Sequence, residues 1–267
     1  MSKAKWVGAV LGAAGLVALL KSRRPNKLPF TNQQQRGTVL ITGASSGIGA
    51  EYARQLAAKG YDLIITARRQ QKLQSLADDL MKRYPVRVQI ETADLTLDAD
   101  IDKLAGVIEQ TDSLTLLINN AGFGKKGKFP EATLQGQLDM IKVHIEATVR
   151  LPKAALPRFM AQNHGGIINV SSIAGFLANS GSNYGPTKTH LIFFTKGLQN
   201  DLAHTNVRAQ VLCPGYTYTE FHDTPDYDDF ERGNLPKNLW MSAGEVVGIS
   251  LQELEQGGDP VVIPGMI

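Results

Sequence analysis

An α/β fold, a parallel sheet with helices against both faces, is what this chain of 267 residues predicts, and three observations carry it. Short apolar runs with little polar alternation, Thr38 to Ile41, Leu114 to Ile118 and Gly166 to Val170, read as strands buried on both faces. Stretches with helical spacing alternate with them, as strand-helix-strand units require. A glycine-rich turn joins the first run to the first helical stretch. The hydrophobic content of 43% suffices for one substantial core. The coarse pattern is six strand-helix repeats and a last strand near Pro260 to Ile263, so residues 37–267 are read as a single domain.

Ahead of that domain, every residue from Trp6 to Leu20 is apolar or glycine, with lysines before and Lys21, Arg23, Arg24 and Lys27 after. A helix of this length covers about 22 Å, short of a hydrocarbon core of about 30 Å unless side chains snorkel or the bilayer thins. A cleaved signal peptide would want a small-residue cleavage site, and the basic stretch after the apolar run offers none. Residues 1–24 are therefore expected to be an uncleaved membrane anchor, with a surface-lying helix or a signal peptide as alternatives. The heavier basic flank puts the rest on the cytoplasmic side, and a soluble cytoplasmic protein is the alternative location. Residues 25–36, rich in Pro, Asn and Gln, make a polar linker. Without residues 1–27 the chain has 22 basic against 25 acidic side chains, so its formal charge falls from +3 to −3 and nucleic-acid binding loses its main support.

Within the domain, Thr38 to Gly49 places Gly43, Gly47 and Gly49, with Ser45, Ser46 and Ile48 among them, between strand and helix. Glycine permits the tight turn and close approach of a ligand, and the helix N-terminus offers N–H groups and a positive dipole end to a pyrophosphate. A turn with no ligand would use the same glycines. The next strand, Tyr61 to Ala67, ends on Arg68 and Arg69, and Val86 to Ile90 alternates in polarity. Leu114 to Gly122 runs an apolar strand into Asn119, Asn120, Ala121 and Gly122, where the asparagines either satisfy loop backbone groups or border a ligand beyond the strand ends.

The strand at Gly166 delivers Ser171 and Ser172 at its carboxyl end. Tyr184 and Lys188 follow, four positions apart, so a helix stacks them on one face. A cation beside a phenol favours the phenolate and brings its pKa towards neutral, which makes Tyr184 a candidate proton donor. Pro186 is tolerated there if Ser182 or Asn183 caps the helix. Cys213 is the only cysteine, so no intrachain disulfide can form, and the five histidines lack any pairing at metal-ligand spacing.

Taken together, T-G-x-x-x-G-x-G at Thr42 to Gly49, N-N-A-G at Asn119 to Gly122, the serine pair, Y-x-x-x-K at Tyr184 to Lys188, and Pro214, Gly215, Thr217 and Thr219 resemble the short-chain dehydrogenase/reductase family from about Arg36 to Gly265. The resemblance implies a Rossmann-type doubly wound parallel sheet of about seven strands, with a nicotinamide cofactor held by Gly43, Ser45, Ser46, Gly47, Ile48, Gly49, Asn120, Ala121, Gly122, Pro214, Gly215, Thr217 and Thr219. It also implies that Tyr184 passes a proton to a carbonyl oxygen, that Lys188 lowers its pKa and binds the nicotinamide ribose, and that Ser172 orients the substrate carbonyl. Ser171 stays in reserve, because Ser172 stands 12 residues before Tyr184 where the family usually shows 13. His144 occupies the position of an asparagine that helps hold a proton-relay water in the family.

No acid follows the second strand to hold a ribose 2′-hydroxyl, and two guanidinium groups stand there instead, which suits the 2′-phosphate of NADP(H). Arg68 is the expected contact, with Arg69 solvent-exposed in the next helix, and Asp94 resembles the family aspartate beside the adenine. Thr219 to Met241, with Phe221, Tyr227, Phe230 and Trp240 among four aspartates, reads as an irregular lid over an apolar substrate such as a 3-oxoacyl, steroid or other lipid ketone. The apolar helix at 187–204 is expected to give homo-oligomer contacts. Val261 to Gly265 resembles the last strand of membrane-associated reductases, and part of the pocket's far wall is expected to be absent or supplied by a partner, as the chain stops at Ile267. A nucleotide-binding regulator that has lost turnover is the alternative from another class, motivated by His144 and the short serine-tyrosine loop.

Overall fold

The computed structural model describes residues 37–124, 128–223 and 236–265. The expected anchor and linker, and most of the expected lid, lie outside them. Among the described residues no helix is long and apolar enough to cross a membrane.

Seven parallel strands form one sheet in the order β3-β2-β1-β4-β5-β6-β9. They are β1 (Thr38–Thr42), β2 (Asp62–Ala67), β3 (Val88–Thr92), β4 (Leu114–Asn119), β5 (Gly165–Val170), β6 (Val207–Leu212) and β9 (Val261–Val262). Between β6 and β9, β7 (Tyr216–Tyr218) and β8 (Trp240–Ser242) pair in parallel as a separate ribbon. The connecting helices are α1 (Gly47–Ala58), α2 (Gln70–Arg83), α3 (Asp98–Gln110), α4 (Leu134–Ile141), α5 (Ala147–Ala161), α6 (Tyr184–Asp201) and α7 (Ala243–Gln256).

The expected two-sided burial is visible residue by residue in β1. Val39 and Ile41 pack on one face with Tyr52 and Leu56 of α1, Leu73 of α2 and Val247 of α7, while Leu40 between them packs on the other with Leu104 of α3 and Leu151 and Phe159 of α5. Side chains alternate across a strand, so an unbroken apolar run fills two cores at once. The chain steps outward from β1 to β3, then returns to lay β4 on the other side of β1. The crevice at that reversal, beyond the carboxyl ends of the strands, is where such sheets take ligands.

Three features lie outside the expectation. The β7–β8 ribbon is held by Trp240, whose ring is 5.4 Å from Tyr216 and 4.8 Å from Tyr218, centroid to centroid. A π-turn, Lys142–Glu146, interrupts the helix between α4 and α5, and Thr148 Oγ1 donates to the His144 carbonyl there at 2.6 Å. Pro152 and Pro157 both sit inside α5. In α6, Leu191 and Ile192 are buried within the protomer, and Phe193, 54% exposed, is the large apolar group left outside.

Candidate active site

At the crevice the glycine turn is built as its residue types require. Gly43 and Gly47 have φ of +67° and +56°, a region that costs other residues dearly. A Cβ on Gly43 would also lie 2.9 Å from Ala121 Cα. Gly49 is held to glycine by packing. It faces away from the cleft, where a Cβ would meet Asn120 Nδ2 and the Gly43 carbonyl oxygen, so it lets α1 close against the loop. Ser46 stands at the N-cap of α1 but makes no side-chain cap, so Gly47 and Ile48 bring first-turn N–H groups to the cleft without one.

Strand β4 is clasped to this turn. Thr42 Oγ1 accepts from Asn120 N at 2.9 Å and Ala121 N at 3.0 Å, and Asn120 Nδ2 donates to the Thr42 carbonyl at 2.9 Å. The asparagine therefore holds the corner together while bordering the cleft. Asp94 accepts from Thr96 N at 3.0 Å and Thr96 Oγ1 at 2.9 Å, and its Oδ2 lies 3.9 Å from Arg68 Nη1.

The two arginines both line the cleft but are disposed differently. Arg68 extends outward, its side chain 68% exposed. Arg69 folds back over the glycine turn instead, donating from Nη2 to Ser45 Oγ at 2.9 Å and Ser46 Oγ at 2.8 Å, and from Nη1 to Glu220 Oε2 at 2.9 Å. As the residue just before α2, Arg69 points back along the chain rather than out with the helix surface. Nothing in a single sequence distinguishes two adjacent arginines at a strand end, and Glu220 carried no signal at all.

At the other end, Ser171 and Ser172 separate. Both line the cleft, but Ser171 is buried and its Oγ donates to the Lys188 carbonyl at 2.7 Å, whereas Ser172 Oγ accepts from Ala174 N at 3.1 Å and its hydroxyl favours ionisation of Tyr184. Tyr184 is the first residue of α6, with Asn183 at the N-cap, and Pro186 falls in the first turn, where its missing N–H leaves no intrahelical bond unmade. The Asn183 side chain makes no cap and donates to Gln137 Oε1 at 2.7 Å.

Lys188 Nζ is 5.7 Å from the Tyr184 ring centroid and donates to the Val170 carbonyl at 3.0 Å. Its ammonium thus lies over the ring. Burial pushes the Tyr184 hydroxyl up to about 12, against the Ser172 hydrogen bond, and pushes the Lys188 ammonium down to about 8. In the free protein burial outweighs the effect of Ser172, and Tyr184 is a neutral donor.

His144 is fully buried behind the cleft wall rather than on it. Phe123 N donates to its Nε2 at 3.1 Å, which leaves the proton on Nδ1, 2.9 Å from Thr187 Oγ1, and Thr187 Oγ1 in turn donates to the Tyr184 carbonyl at 2.9 Å. The ring is neutral, held well below its ordinary pKa by burial and by Lys188 nearby. A Cβ on Gly122 would sit 3.0 Å from His144 Nε2 and 3.3 Å from Lys188 Nζ, so only glycine leaves room between them.

A protonation experiment follows. Unfolded His144 takes up a proton as pH falls through about 6.5 while the folded residue does not, so the unfolded state binds more protons and stability drops on acidification, by up to about 1.4 kcal/mol per pH unit from this group. His144→Asn is expected to flatten the fall in melting temperature between pH 7 and 5. Parallel curves for the two proteins would refute the neutral buried ring.

Apart from Gly49 and His144, every residue expected at the site lines one cleft of about 990 Å³. Phe123, Val143, Leu177 and Phe221 contribute to its walls, the last with its ring centroid 6.0 Å from that of Tyr184. Among the described residues no cluster of side chains could hold a metal ion.

Comparison with known proteins agrees with this arrangement. A short-chain dehydrogenase of Sphingobium yanoikuyae solved in complex with NADPH is 35% identical, with a TM-score of 0.81 over 86% of this chain and 88% of that one. The bulky-bulky ketone specific alcohol dehydrogenase of Comamonas testosteroni is 31% identical, with a TM-score of 0.75 over 86% of each chain. The 3-oxoacyl-(acyl-carrier-protein) reductase of Aquifex aeolicus is 32% identical over 183 residues, 68% of this chain and 74% of that protein. Residues 37–228 match the family described as short chain dehydrogenase, and with the seven-stranded parallel sheet this places the chain in that family of oxidoreductases.

Proposed function

We propose that the protein interconverts a carbonyl and an alcohol on a bulky, mainly apolar substrate, using NADP(H), with Tyr184 as general acid and base. The observation that carries this reading is the convergence of Ser172, Tyr184 and Lys188 on one cleft wall, with the Lys188 ammonium 5.7 Å from the centroid of the Tyr184 ring. The residues at the other end fit the cofactor: uncapped first-turn N–H groups of α1 suit a pyrophosphate, and the Arg69 guanidinium over two serines suits a 2′-phosphate. When bound, the nicotinamide exchanges hydride with the substrate carbon. The chain's part is to place and protonate. Ser172 donates to the substrate carbonyl and Tyr184, protonated at neutral pH, hands its proton to that oxygen as it becomes an alcohol. Lys188 then faces the tyrosinate that remains and stabilises its charge.

Apolar side chains at the catalytic end favour a hydrophobic ketone, in keeping with relatives named for 3-oxoacyl and bulky ketone substrates. A panel of such ketones, followed by NADPH absorbance, tests the reading. Failure of every member, together with no effect of Tyr184→Phe, would remove it. The regulator alternative loses its motivation, because Ser172 reaches Tyr184 across the short loop and His144 is fully hydrogen-bonded.

The apolar stretch Trp6 to Leu20 with its basic flanks supports membrane anchoring through residues 1–24. On carbonate extraction the full chain is expected in the pellet and a version lacking those residues in the supernatant; full-length protein in the supernatant would contradict the anchor.

A further inference from the structure

Glu220 is the residue that neither the fold nor the proposed chemistry uses, and its contacts are specific. Its Oε2 accepts from Arg69 Nη1 at 2.9 Å and its Oε1 from Lys72 Nζ at 2.7 Å. Those two cations hold its carboxyl below the usual carboxylate range. The same Arg69 spans Ser45 and Ser46 at the mouth of the glycine turn. A carboxylate thus occupies the cationic pair at the adenosine end of the cleft, where an incoming anion would have to sit. Glu220 also opens the short helical turn Glu220–Asp223, and the next residue, Phe221, lies against Tyr184 at the catalytic end.

From these contacts we infer that Glu220 is an internal competitor for the cofactor's 2′-phosphate. It fills the Arg69–Lys72 pair in the free protein and must give it up when a phosphate binds there. A dianion brought beside a carboxylate shared between two cations is repelled by it and regains their attraction only after displacing it. Both ion pairs are about half exposed, which sets a modest cost: side-chain exposure is 47% for Arg69, 45% for Lys72 and 48% for Glu220. The displacement also loosens the turn that carries Phe221, so the adenosine end acts on the residue beside Tyr184. The inference rests on the cofactor reading above.

The test uses adenosine 2′,5′-bisphosphate and AMP, titrated calorimetrically into the full chain and its Glu220→Gln variant. The bisphosphate is expected to bind the variant about fivefold more tightly, with AMP unchanged. Unchanged or weaker bisphosphate binding, or equal tightening of both nucleotides, would overturn the inference while leaving NADP(H) as the cofactor. Should the glutamine variant melt early, Glu220→Asp, which keeps the charge but reaches one carbon less, is expected to give a smaller gain of the same sign. Wild-type protein that binds AMP and the bisphosphate equally would overturn both the inference and the 2′-phosphate site.

Discussion

Tyr184→Phe is expected to lower ketone reduction by at least about a hundredfold while leaving NADPH affinity unchanged, since a positioned proton donor contributes roughly two to four orders of magnitude. Phenylalanine keeps the ring against Phe221 and over Lys188 and removes only the hydroxyl, so the packing around the first turn of α6 survives. The loss is expected in the rate at saturating substrate rather than in affinity, the signature of an interaction made in the transition state. With the phenol held near 12 and the Lys188 ammonium near 8, a reduction rate that is level from pH 6 to 7 and falls as pH rises past 8 accompanies the prediction. A variant that retains most of its turnover would show that another group supplies the proton.

Arg69→Ala is the second large effect, expected to weaken NADPH by roughly ten- to a hundredfold with NADH little changed, as befits two charge-assisted bonds of about 1.5–3 kcal/mol partly replaced by solvent. Arg68→Ala is expected to cost less, because that side chain extends into solvent and its nearest carboxylate is 3.9 Å away. Fluorescence titration of both cofactors against both variants decides it. Equal losses for NADPH and NADH on Arg69→Ala would remove the phosphate argument.

These two residues mark how far the sequence could be read. The placing of Tyr184 and Lys188 on one helix face was legible because helical periodicity fixes the relation of positions four apart. The strands of the main sheet were legible for the same reason: Val39, Leu40 and Ile41 of β1 must all be apolar when α1 and α2 cover one face and α3 and α5 the other. Arg69 was not, since which of two neighbouring side chains turns back over the loop depends on the backbone at the start of α2 and on Ser45, Ser46 and Glu220, which come from elsewhere in the chain. The phenol's environment was equally hidden. Spacing placed Lys188 beside Tyr184 but could not say that the ammonium would be drawn to the Val170 carbonyl and both groups buried. Ribbon β7–β8, only three residues per strand, is held by the Tyr216–Trp240–Tyr218 stack and carries no periodicity long enough to notice.

The wide turn at Lys142–Glu146 accommodates one residue more than a regular helix would, and each residue advances a helix by about 100°. Shortening the chain there by one would regularise the backbone yet rotate α5 against α4 by that angle, carrying its buried stripe of Leu151, Ala155 and Phe159 towards water and His144 out of reach of Thr187. This segment therefore works as a spacer whose length is fixed from both sides, by the sheet that α5 covers and by the imidazole it delivers.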